Sequence, residues 1–203
     1  MTDIETFDVS KKRIDLGSGV SLPSSWCARV TDEDDVPGAI TVRAEWDSAL
    51  GRSAVVFVSL ERGSGGIDIT SQNLREIRTH WILTRSAMEV VTVDEGTDTP
   101  IPVHQFLAHQ RGRTGRTPEA ALIDAVAIYR VAGAISFPPL KLVADTLHTS
   151  QSTATRLMDR ARTDGVAPEV RLQEPRRAPA VDPFEGIGPF TGHGAPTTPS
   201  IGR

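Results

Sequence analysis

The apolar residues of this chain change their period once, and that change limits the folds open to it. Between Ile40 and Trp46 they alternate: Ile40, Val42, Ala44 and Trp46 are separated by Thr41, Arg43 and Glu45. A period of two belongs to a β-strand with one buried face. From Thr117 onward the spacing is three and four, and Leu122, Ala125, Val126, Tyr129 and Ala132 share one side of a helix. Neither pattern suits the other structure, because side chains alternate across a strand but recur about every 3.6 residues around a helix. The chain is therefore expected to be α+β, with strands ahead of helices.

The strand-forming half reads as a small antiparallel hairpin or sheet plus a helix. Residues 53–60, Ser53-Ala54-Val55-Val56-Phe57-Val58-Ser59-Leu60, are more uniformly apolar, as in a central strand. Gly51 offers a turn between this run and the preceding strand. Gly63-Ser64-Gly65-Gly66 then interrupts the chain, and Ile67 to Ile69 suits a third short strand. Thr70 suits a cap for one helix carrying Leu74, Ile77, Trp81 and Met88 near one face, and Val90 to Val93 a return strand. The expected organisation is a polar, partly mobile segment 1–37 with one short strand around Val20 to Leu22 and an acidic cluster at Asp32 to Asp35, then the α+β unit 38–93. Such a unit is small for independent folding, so a homodimer through it is expected. A linker with a basic end, 94–116, leads to three helices, 117–166, and a disordered Pro/Gly-rich tail, 167–203.

Charge separates these parts. The chain of 203 residues has a formal net charge of −4, yet residues 1–70 hold 7 Lys/Arg against 12 Asp/Glu, and residues 111–167 hold 8 against 5. A basic segment in an acidic chain is a modest pointer to a polyanion partner for that segment. A lone cysteine, Cys27, excludes an internal disulfide framework and a cysteine-rich zinc site. No run of 18 apolar residues is present, so no membrane span is expected. Met1 to Glu5 lacks an apolar stretch, so a cytoplasmic protein is expected. His80, His104, His109, His148 and His193 show no metal-ligand spacing. Neither a Ser/His/Asp order nor a glycine-rich nucleotide loop stands out, so catalytic residues, metal and cofactor are all expected to be none.

Residues 117–165 carry the most specific pattern. Thr117-Pro118-Glu119 is a helix start, with Thr as cap, Pro in the first turn and an acid near the positive helix end. Gly133 suits its C-terminal cap. Pro138 or Pro139 opens a short helix presenting Leu142, Val143, Ala144 and Leu147. After His148-Thr149, Ser150 caps a second helix whose Ala154, Leu157, Met158 and Ala161 form one apolar stripe, closed by Asp164-Gly165. Short helix, tight turn and amphipathic helix is the geometry of a helix-turn-helix.

This segment resembles the helix-turn-helix of DNA-binding regulators. Ala144 stands where that family wants a small residue at the helix crossing, and Val143, Leu147, Ala154 and Leu157 flank it. Ser150-Gln151-Ser152-Thr153-Ala154 looks like the start of many recognition helices. His148 and Thr149 depart from the usual glycine and apolar residue of the turn. The arrangement as a whole looks like small actinobacterial or phage proteins ending in such a motif. The resemblance implies a sequence-specific transcriptional regulator bound to double-stranded DNA, its second helix in the major groove. Gln151 would then pair adenine and Arg156 guanine. Ser150, Ser152, Thr153 and Thr155 would serve base edges or phosphates, and Arg160 and Arg162 phosphates. Arg111 and Arg113, in the basic run 111–116, would touch phosphate non-specifically. Asp159 opposes phosphate on the same helix. The alternative is a protein–protein adaptor or phage accessory protein whose three helices bind no DNA.

Overall fold

The structure is a computed structural model describing residues 3–31, 36, 38–63, 68–96 and 99–168. The acidic cluster 32–35, most of the glycine run and Ile67, and the tail from 169 onward lie outside the described residues. The chain is mixed α+β, as expected, but far richer in strands ahead of the helices.

The segment expected to be polar and partly mobile, with one short strand near Val20 to Leu22, holds four strands among its described residues. These are β1 (Asp3–Phe7), β2 (Arg13–Gly17), β3 (Val20–Pro23) and β4 (Ser25–Thr31). The segment's alternation is masked by serines and charges on the outward positions, while Val20, Leu22, Trp26, Ala28 and Val30 are buried. The expected hairpin is β5 (Ala39–Asp47) and β6 (Arg52–Glu61). One antiparallel sheet runs β1-β4-β5-β6. A second joins β2 and β3 to β7 (Thr92–Val93) and β8 (Ile101–Pro102), in the order β2-β3-β7-β8. Only Ser24 separates β3 from β4, so the chain passes from one sheet to the other within one residue.

β6 lies at an edge of its sheet, not at the centre. Val56, Phe57 and Val58 are 53%, 53% and 37% exposed. The apolar run is real, but among the described residues no strand pairs with its outer side. Val56 is an extra residue opposite the Arg43–Ala44 step, a bulge of the kind that blunts a free edge.

The helix expected from Thr70 is two helices. α1 (Ser71–Glu76) is capped by Thr70, whose Oγ1 accepts from the Asn73 N–H at 3.3 Å. α2 (Thr79–Val90) starts after a break at Ile77. α2 buries Ile82, Leu83, Ser86 and Ala87 against the first sheet, leaving Trp81 and Met88 half-buried. Ile82 joins Ala28, Val30, Ile40 and Val42 in that core. The Trp26 indole N–H donates to Ser86 Oγ at 3.0 Å, so a buried polar group brought in by the tryptophan is satisfied.

The segment expected to be a linker contains α3 (Val103–Gly112), which buries Val103, Phe106, Leu107 and Gln110. The prolines and glycines that suggested a linker flank this helix or sit at its end. α4 (Pro118–Ala134), α5 (Pro139–Thr146) and α6 (Gln151–Thr163) follow, packed pairwise on one another. α4 also meets β2, β3, β6 and α3. Ser53 Oγ donates to the Ala134 carbonyl at 2.6 Å, a buried bond between β6 and the end of α4. The described residues thus fall in one compact unit.

Candidate nucleic-acid interface

The geometry is built outward from α4. Thr117 caps it, its hydroxyl accepting from the Ala120 N–H at 3.2 Å, and Pro118 opens its first turn, as expected. It is buried nearly all round, because the sheets cover one side and α5 and α6 the other. Gly133 is not its cap. The helix runs on, and Ser136 takes the left-handed conformation (φ +54°) that closes it, with the Phe137 N–H donating to the Ala132 carbonyl at 2.8 Å.

α5 buries Leu142, Val143, Ala144 and Thr146. Its end is closed by His148 at φ +52°, the left-handed angle that a glycine would take without strain. The Thr149 N–H donates to the Ala144 carbonyl at 2.9 Å, and the Leu147 N–H to the Val143 carbonyl at 3.0 Å. Ser150 then caps α6, accepting from the Thr153 N–H at 3.2 Å. α6 buries Ala154, Met158 and Ala161. Gly165 (φ +72°) closes it, with the Val166 N–H donating to the Ala161 carbonyl at 2.9 Å.

At 3.6 residues per turn this buried stripe puts Ser152 and Arg156 on the opposite, exposed side of α6. Gln151, Thr153, Arg160 and Arg162 are also exposed. Around the helix, Gln151 and Arg162 flank that exposed side on one edge, and Thr153 and Arg160 on the other. Thr155 is half-buried, and its hydroxyl donates to the Gln151 carbonyl at 2.9 Å. The hydroxyls of Ser150, Ser152 and Thr153 lie within 3.0 Å of one another in pairs through Ser150.

The cations of α6 divide in two. Arg160 pairs with Asp164 at 3.1 Å and Arg162 with Asp159 at 3.2 Å, all four half-exposed. Exposed pairs of this kind contribute about 0 to 1 kcal/mol, so they open cheaply. Arg156 has no partner among the described residues.

The basic run 111–116 is not a free strip. Arg113 Nη1 reaches both carboxylate oxygens of Asp124 at 3.1 Å, and Arg116 Nε donates to the same carboxylate at 2.8 Å. Asp124 is buried in α4, and Arg116 is nearly so. Arg116 also donates to the carbonyls of Gln110 and Arg113. Arg113 thus gives one guanidinium nitrogen to a buried acid while its side chain stays half-exposed. Arg111 stays exposed, with no partner for its guanidinium among the described residues. His148 Nε2 lies 3.3 Å from the Arg111 carbonyl, which brings the end of α3 to the α5–α6 turn. Sequence reasoning missed Asp124 and Gln110, and read Arg116 only as part of the basic run. The available signal was an acid inside an apolar helix, a few residues after an arginine-rich run.

Cys27 sits half-buried on β4, and burial first and the Asp8 carboxylate second push its thiol up, with Arg43 partly opposing. A raised thiol is a poor nucleophile at neutral pH. Among the described residues no three His, Cys, Asp or Glu side chains gather as a metal site, and no helix is long and apolar enough to cross a membrane. Comparisons with protein-family models, with curated proteins and with solved structures gave no match to this chain.

Proposed function

We propose that this chain is a sequence-specific DNA-binding protein, a transcriptional regulator whose α5, turn and α6 act as a helix-turn-helix. The observation that carries the reading is the turn: His148 takes the angle normally given to glycine there, so α6 leaves α5 through a tight four-residue connection with Ala144 buried where the helices pack. In this reading α6 enters the major groove by its N-terminal end. Gln151 and Arg156 read base edges, Ser152 and Thr153 meet bases or phosphates, and Arg160 and Arg162 exchange their intrahelical acids for phosphates. The proposed mechanism is occupancy of an operator. A second copy, held through the N-terminal sheets, would set two such helices on one site.

The test is gel-shift titration of the full chain on DNA around its own gene, with Gln151→Ala and Arg156→Ala. Loss of a bidentate base contact costs about 1 to 3 kcal/mol, roughly 5- to 150-fold in affinity, at the cognate site only. Unchanged binding in both variants would sink this docking. Absence of binding at low salt, with a stoichiometric protein co-purifying, would favour the adaptor reading. That second reading draws on the two intrahelical ion pairs, which leave α6 with little net positive charge.

A further inference from the structure

We infer that Asp124 is a positioning residue, and that it sets Arg111 beside the start of α6 as a phosphate-binding arm. The inference rests on the DNA-binding reading above and extends its footprint from α5 and α6 to the end of α3.

Three arginines lie within six residues, and the structure divides their work. Arg113 and Arg116 turn back to the one carboxylate of Asp124. Arg116 also takes up the Gln110 and Arg113 carbonyls, on either side of Arg111. The backbone that carries Arg111 is therefore held from both flanks, and Gly115 (φ +68°) lets the chain reverse into α4 close by. Arg111 itself is exposed, and its guanidinium has no partner among the described residues.

Its position matters because its carbonyl lies against His148, two residues before Ser150 caps α6. A helix that enters a groove by its N-terminal end brings the flanking phosphates to its own start. An arginine on a fixed helix end loses less freedom on meeting a phosphate than one on a loose linker. Asp124 is buried and negative, so it touches no DNA. It acts by neutralising the two arginines that hold the end of α3, and so leaves the third to face outward.

The experiment measures the salt dependence of full-chain binding to a short mixed-sequence DNA duplex. The slope of log K against log[salt] should be shallower by about 0.9 in Arg111→Ala, the loss of one phosphate contact. Asp124→Asn should lower it by the same amount, and the double variant by no more than either single one. Circular dichroism checks that each variant is folded. If Asp124→Asn fails to fold, Arg116→Lys replaces it, since a point charge cannot span the carboxylate and two carbonyls. Additive losses in the double variant overturn the positioning role. Binding that depends on Arg156 but keeps its slope in Arg111→Ala overturns this inference alone. A full chain without affinity for the duplex at low salt overturns the DNA reading and this inference together.

Discussion

His148 shows how one residue can hold a turn against its own preference. The left-handed conformation costs a residue with a Cβ about 1 to 2 kcal/mol, although histidine tolerates it better than most. Here the cost is offset by the bonds that close α5 and by the ring's contact with the Arg111 carbonyl. The sequence shows the departure from glycine but not its outcome, because a backbone angle is not written in a residue's name when tertiary contacts can impose it. A paired substitution tests this. His148→Gly should raise stability by about 0.5 kcal/mol, the relieved strain less the added freedom of the unfolded chain. His148→Val should lower it by about 2 kcal/mol. Urea midpoints moving in opposite directions are the expected result, and equal losses in both would show that the ring contact, not the angle, dominates.

At the scale of elements, starts were more legible than ends. Thr70, Thr117 and Ser150 all cap helices where their hydroxyls accept the expected N–H. Caps are local chemistry, so local sequence displays them. The end of α4 was misread because Gly133 has a different task. A Cβ there would meet the Gly51 carbonyl oxygen at 2.8 Å, a backbone atom with little room to yield, so the glycine lets α4 approach the β5–β6 turn. Gly133→Ala should therefore destabilise by about 1 to 2 kcal/mol, although alanine is the better helix former by about 1 kcal/mol. A thermal melt showing a gain would mean that the hairpin turn moves aside freely. The single helix expected over 70–88 failed for a related reason: periodicity ran through Ile77, but its backbone is extended and breaks the helix.

The whole molecule was the least legible. The boundary expected between a sheet unit and a helical unit is crossed by α3, by the Ser53–Ala134 bond and by the close approach of Gly133 to Gly51. α4 buries one side on the sheets and the other on α5 and α6, so it serves two layers at once. A fragment of residues 117–168 would expose that sheet-facing side, and is expected to show no cooperative thermal transition while the full chain does. A sharp transition in the fragment would restore the two-unit organisation. The sequence by itself determined the class of structure, the capped starts of α1, α4 and α6 and the exposed polar side of α6, because period and capping are properties of neighbours along the chain. Tertiary structure decided that β6 is an edge, that Gly133 is a packing contact, and that Arg113 and Arg116 hold a buried acid while Arg111 faces outward. Those outcomes depend on which segments meet in space, and a carboxylate taken out of water must find its cations wherever the fold brings them.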